Sequence, residues 1–515
     1  KRDIQMTETD ITSPGDDTNP ECSLEPRVQV GNLVYFAICT GMQYLAAPVL
    51  YVGITQASLC KALGADARVS NLPATMFFAL TAVVVLVAWL SPGIGSLRRN
   101  LSLCYASTAV MLLVTAFVLA MPVANEIKIG VVILQGAVSG AAGPTAIALL
   151  WEMVGRGSDE RRRGMALGMA FGAGPVLAVV GSFAQTLLLG GKFFGLEYEG
   201  LDDLNGFVVL FACGVPVMSL AAILSWSFRL PKVLSEPSRE SIASVLGLLV
   251  GLPLMIGSIG LMQVGQFTDE DSFIYAAYAV AALSAAAFVY HFRPILTQRV
   301  LLVATVVTVL VYSGNTIPSN MNLFTSEVLG DEPARYAGMQ NALRFGFKVI
   351  AGVVLGWLLT RSHPRLGLVA TAAIFLLAQL WAIFATGTAY LVAFGLYGAG
   401  ELIGVYAPNY ILSASRPGEI RRNMAFVTLL MVPAAPTGYL FGSIAQSVKD
   451  AGWQMGEMTS AALGFRVSFG VCAVLILLGI VVAVVWLPRK PSLNEKDVQP
   501  PVSTSGLADN QDISS

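Results

Sequence analysis

The chain has 515 residues, 55% of them apolar and only 12% charged, with 31 Lys and Arg against 32 Asp and Glu, and its mean hydropathy is +0.69. That balance lies outside the range of soluble globular domains. A net charge of −1 without a basic stripe excludes nucleic acid as a partner.

Residues 1–26 are rich in Asp, Glu, Ser, Thr, Pro and Asn and are expected to be a disordered tail. Fourteen apolar runs follow, most near the ~20 residues that a bilayer-spanning helix needs to satisfy its own backbone: 28–53, 70–91, 100–121, 127–154, 163–190, 205–229, 241–265, 272–291, 299–329, 334–360, 366–385, 387–414, 420–447 and 463–487. They divide into six within 27–230, a transmembrane hairpin within a linker at 231–298, and six within 299–489, before a second polar tail at 490–515. None has the alternating rhythm of a β-barrel strand. The expected fold is therefore an all-α membrane protein: two six-helix bundles related by pseudo-two-fold symmetry, with a central two-helix hairpin.

The two sixes share a signature. Glu160-Arg161-Arg162-Arg163-Gly164-Met165-Ala166, then Gly181-Ser182-Phe183-Ala184-Gln185, matches Glu419-Ile420-Arg421-Arg422-Asn423-Met424-Ala425, then Gly442-Ser443-Ile444-Ala445-Gln446, at an offset of about 260 residues. A duplication of this kind within a membrane bundle is the architecture of transporters. Basic residues set the orientation. With both termini in the cytoplasm, Arg98, Arg99, Arg156, Arg229, Arg293, Arg361, Arg365 and Arg489 fall inside, whereas the opposite loops carry acids such as Glu197, Glu199, Glu270 and Asp271.

Enzyme chemistry finds no support. The chain has no HExxH, no Walker loop, and only two histidines, His291 and His363, both at helix ends. The six cysteines are scattered singly, so no metal site, cofactor or disulfide framework is expected. The loop at 54–69 reads as short and ordinary.

The chain resembles the major facilitator superfamily over about residues 28–487. The resemblance rests on the two six-helix repeats and on Gly356-Trp357-Leu358-Leu359-Thr360-Arg361-Ser362-His363-Pro364-Arg365, similar to the family's G-x-x-x-D-R-x-G-R-R loop but with Thr360 at the Asp position. Only Arg98-Arg99 remains of that loop in the first half. Gly174-Pro175, with Gly168, Gly172 and Gly181 around it, is similar to the family's antiporter motif without its closing Gly-Gly.

Counting only the helices of the two bundles, the resemblance implies a cavity lined by the first, fourth, seventh and tenth. Polar residues there are candidate ligands, because polar groups facing lipid are costly: Gln43 and Tyr44 in the first, Gln135 in the fourth, Asn315, Asn320 and Asn322 in the seventh. Pro48 and Pro318 break the first and seventh at comparable places and free backbone groups. Charge is scarcer. The acid far from a helix end is Glu401, and the deep bases are Arg344 and Lys348, one turn apart on a face shared with Gln340. Asn341 adjoins them. Lys348 and Glu401 lie at matching depths of roughly 21 Å, counted at 1.5 Å per residue. The cluster reads in three ways: a structural ion pair, a dock for an anionic substrate group with Glu401 as its exchangeable partner, or a proton-coupling carboxylate beside a neutral substrate. Glu152, Arg161, Arg162, Arg361, Arg421 and Arg422 are placed to gate the cytoplasmic face.

These features lead to an expected monomeric, multi-pass protein of a bacterial inner membrane. It would move a small organic solute, an organic anion being the species its bases favour, by alternating access coupled to a proton or sodium ion, with membrane lipid as its other partner. Export of hydrophobic drug-like compounds by proton antiport, proton-coupled carriage of a neutral sugar or nucleoside, and a non-transporting sensor of the same fold are the alternatives.

Overall fold

The computed structural model describes residues 24–158, 166, 169–201, 203–231, 241–268, 270–414, 426–427 and 429–491. The tails fall outside these residues apart from 24–26 and 490–491. Long apolar helices alternate in direction: α1 (Pro26–Leu45), α2 (Ala67–Leu90), α3 (Ile94–Ala120), α4 (Asn125–Gly157), α5 (Gly174–Leu189), α6 (Leu204–Ser227), α7 (Leu246–Thr268), α8 (Asp271–Leu296), α9 (Arg299–Leu329), α10 (Ala334–Thr360), α11 (Pro364–Phe384), α12 (Gly387–Ser413), α13 (Pro436–Asp450) and α14 (Ser460–Trp486). Eleven are long and apolar enough to cross a membrane among the described residues, and α1, α5 and α13 are not among them.

Those three are where helix boundaries depart from expectation. The 28–53 run breaks at Ala46 and resumes as a four-residue helix, Ala47–Leu50, with Pro48 in its first turn, where its missing N–H is tolerated. Within the 163–190 run a π-helical turn, Met169–Ala173, precedes α5 and its Pro175; of residues 163–168 only Ala166, which is helical, is described. In the 420–447 run, Phe426, Val427 and Leu429 are helical, a turn follows at 430–435, and α13 resumes at Pro436 and runs to Asp450; residues 420–425 and 428 lie outside the described residues. The 54–69 loop is not ordinary. It carries a helix, Thr55–Ala62, that is buried from Thr55 to Cys60.

One apolar core fills the N-terminal bundle around Phe36, Tyr105, Phe207 and Phe211. A second surrounds Phe324, Phe375 and Phe469 and takes in Leu252, Ile259, Phe288 and Phe292, so the α7–α8 hairpin packs on the C-terminal core. Within the hairpin Ser284 donates to the Gly251 carbonyl at 2.7 Å.

The bundles meet along two equivalent seams. Gly338 of α10 lies against Ser182 and Thr186 of α5, and Gly442 of α13 against Ala67 and Asn71 of α2. The face of the bundle away from the termini, the far face, is clasped twice in the same way. Arg68, at the start of α2, pairs with Asp450 at the end of α13 at 3.0 Å. Arg335, at the start of α10, pairs at 2.9 Å with Glu197, in a small hairpin of β1 (Gly191–Phe193) and β2 (Leu196–Tyr198) that follows α5. The repeated glutamines cross the seams too: Asn341 donates to Gln185 at 3.0 Å, and the Ala67 N–H donates to Gln446 at 3.4 Å.

Candidate substrate and coupling site

Glycines bring the intramembrane charges together. On α12, Gly395 faces the ring of Phe347, Gly398 the main chain of Arg344, and Gly400 the ring of Phe375, so this helix beds closely onto α10 and α11. It is also discontinuous. Val392–Gly400 and Ile403–Ser413 are joined by a tighter turn at Glu401 and Leu402, where Leu402 N–H bonds the Ala399 carbonyl at 3.3 Å and Gly404 N–H the Glu401 carbonyl at 3.0 Å. The break aims Glu401 at α10.

Both bases reach it. Arg344 grips the carboxylate with its planar fork, Nε to Oε2 at 3.0 Å and Nη2 to Oε1 at 2.5 Å, a bidentate geometry that a point charge cannot reproduce. Lys348 Nζ adds a bond to Oε2 at 3.2 Å. Tyr397, one turn before Glu401, donates to Oε1 at 3.2 Å and lies 3.1 Å from the Asn315 carbonyl. Arg344 is 3% exposed, and among the described residues its Nη1 has no hydrogen-bond partner. The Lys348 side chain retains 19% exposure and that of Glu401 13%. Three formal charges thus sum to one positive, and Lys348 is the more accessible base.

Aromatic rings surround the cluster. The Arg344 guanidinium lies 5.3 Å from the ring centroid of Tyr397 and 5.5 Å from that of Phe345, within cation–π range. Phe345 in turn meets Tyr44 and Tyr51 edge-on, at 6.2 and 5.8 Å. Tyr44 of α1 therefore joins the site from the other bundle.

The remaining candidates are mostly ties between helices in this conformation. Gln43 donates to Tyr105 at 2.9 Å, and Gln135 to the Val49 carbonyl at 2.8 Å. The Val49 carbonyl, freed by the break in α1, also accepts from Gln56 at 3.0 Å. Asn322 bonds both Gln340 (2.7 Å) and Ser58 (2.8 Å). Asn320 bonds Asn71 (2.7 Å) and Ser468 (2.9 Å). Asn315 sits beside Tyr397 with its side-chain oxygen buried and unpartnered. Of the gate residues, Glu152 pairs along its own helix with Arg156 at 2.6 Å, and Arg361 lies 4.4 Å from the centroid of the Trp357 ring. Arg161, Arg162, Arg421 and Arg422 lie outside the described residues.

Tyr397, Tyr51, Gln56, Ser58 and Asn71 are site residues that the sequence pattern does not single out. Tyr397 carried a usable signal, its four-residue spacing from Glu401. Among the described residues no group of His, Cys, Asp and Glu is arranged to hold a metal.

This architecture is that of solved membrane transporters. The nucleoside transporter NupG superposes with a TM-score of 0.57 at 10% identity, over 88% of this chain and 99% of its own. An auto-inhibited POT family peptide transporter gives 0.60 at 14%, over 90% and 98%. A D-xylose-proton symporter gives 0.59 at 11%, again over 90% and 98%. No family model matches the sequence, and no curated protein matches it. The chain is an integral, multi-pass membrane protein. Its fold is the major facilitator fold.

Proposed function

We propose that this protein is a secondary active transporter that moves a small organic anion by alternating access, with Glu401 as the coupling group. The observation that carries the reading is a single carboxylate held by two bases inside the membrane. Burying charge there is expensive, and such groups ordinarily mark substrate or ion pathways. The surplus positive charge favours an anion, and Lys348, bonded once and still accessible, is the base free to receive it. Protonation of Glu401, or its replacement by the substrate, would release Arg344. With the termini in the cytoplasm, as the basic loops favour, the far face is the outside and this conformation is shut to it. In a bacterium the membrane would be the inner one. The two bundles, 27–230 and 299–489, would rock as units about the site, with 231–298 as a structural linker. No residue is assigned a catalytic role.

The test is uptake into proteoliposomes of labelled organic anions, sugars, nucleosides and peptides, with and without an imposed pH gradient, preceded by a thermal-shift screen of the same compounds. Anion uptake that follows the gradient supports the reading. Uptake confined to a neutral solute and lost in Glu401→Gln would assign the site to proton coupling alone.

A further inference from the structure

At the terminal face of the N-terminal bundle, far from Glu401, a cleft of about 580 Å³ opens between the start of α1, the start of α3 and the end of α6. Arg27, Arg98 and Arg229 line it, with Glu25 as the opposing charge. Among the described residues none of the three guanidinium groups pairs with a carboxylate. Arg98 is half-buried and, among the described residues, its side chain hydrogen-bonds the Phe228 carbonyl at 3.4 Å.

The cleft is built rather than incidental. Asn32, 1% exposed, accepts from the Arg229 N–H at 2.9 Å and donates to the Arg229 carbonyl at 2.8 Å, which fixes that segment at the rim. Trp226, at the other edge, is held by its indole N–H on Ser102 at 3.0 Å. Below the rim Leu220, Ile223 and Trp226 form an exposed apolar ridge along one strip of α6.

We propose that this cleft seats the headgroup of an anionic phospholipid, with acyl chains lying along that ridge. Guanidinium forks match phosphate oxygens, basic pockets at helix ends are read by anionic headgroups, and a tryptophan at this depth marks the bilayer interface. Among the described residues the excess is two positive charges over Glu25. A free phosphate would satisfy the guanidinium groups but leave the ridge without a role, so the lipid is the occupant.

The experiment is native mass spectrometry of the detergent-purified full chain, titrated with dioleoyl phosphatidylglycerol or dioleoyl phosphatidylcholine, with an inorganic phosphate arm read by thermal shift. Wild type should retain phosphatidylglycerol over phosphatidylcholine, each guanidinium contributing about fivefold to the preference. The triple variant Arg27→Gln, Arg98→Gln, Arg229→Gln should lose it, whereas Arg293→Gln with Arg299→Gln, on the same face, should not. Gly31, which has open space where a Cβ would stand, gives a second route: Gly31→Trp should fill the cleft and displace the lipid without changing charge. If the triple variant fails to fold, Gly31→Trp and the single Arg27→Gln decide. Equal retention of both lipids, or phosphatidylglycerol binding unchanged in the triple variant and in Gly31→Trp, would overturn the proposal. Phosphate stabilisation that depends on the three arginines without selective lipid retention would overturn it in favour of a soluble anion.

Discussion

Gly398 lies flush against the main chain of Arg344, so closely that a Cβ at 398 would overlap the Arg344 carbonyl oxygen. The backbone contact sets the distance over which Arg344 reaches Glu401, three residues further along α12. Gly398→Ala is therefore expected to force α12 off α10, costing about 1–3 kcal/mol as overpacking does, and to abolish transport by opening the bidentate pair. Gly346, two residues after Arg344, has nothing within 4 Å of its Cβ position, so Gly346→Ala should be silent. Thermal unfolding and uptake measured on the two variants check this, and equal behaviour would remove the close approach as a determinant of the site.

Much of this arrangement was legible in the sequence. The fourteen runs and the duplicated signature follow from bilayer physics and repetition. The pairing of α10 with α12 charges followed from counting depth along two helices. Local bends were less legible, because glycine and proline are tolerated in membrane helices, and only the packed neighbours decide whether Gly400 continues a helix or interrupts it. The amides were the harder case. Gln135 and Asn322 in isolation could face a cavity or another helix. Their partners Gln56 and Ser58 lie in a segment too polar to score as a span and too short to be read as a site.

The far-face clasps should control the conformational equilibrium. Asn71 and Asn320, both fully buried, bond at 2.7 Å across the seam. Asn320→Ala removes that bond and the one to Ser468. At about 1 kcal/mol for a net hydrogen bond, the far-open population should rise about fivefold or more. Ser319→Cys, 1% exposed in the clasped state, reports this in a cysteine-free background as faster labelling by a membrane-impermeant thiol reagent from the far side. An unchanged rate in Asn320→Ala would exclude the Asn71–Asn320 bond from gating.

The α7–α8 hairpin gives a topological prediction. Glu270 joins the two helices at the far face, and Gln298 precedes α9 at the terminal face. Single cysteines at the two positions should label from opposite sides of the membrane, Glu270→Cys from outside and Gln298→Cys from the cytoplasm. Labelling of both from one side would break the alternation on which the orientation of every other helix depends.

The charge cluster itself separates stapling from docking. Removing one partner of a buried ion pair typically costs about 3–5 kcal/mol because the other charge is stranded. Arg344→Gln, which leaves Glu401 with only Lys348 and Tyr397, is expected to lower stability in that range. Lys348→Gln leaves the bidentate Arg344 pair intact and should cost less, while abolishing anion uptake if Lys348 receives the substrate. Glu401→Gln should retain substrate binding and flatten the pH dependence of uptake. The double variant Arg344→Gln, Glu401→Gln leaves no uncompensated carboxylate and should recover most of the stability lost in Arg344→Gln. Recovery of transport in the double variant Lys348→Gln, Glu401→Gln, which removes the proposed dock, would make the cluster a staple. Uptake still absent in that variant, with stability recovered in Arg344→Gln, Glu401→Gln, is the outcome that docking at Lys348 requires.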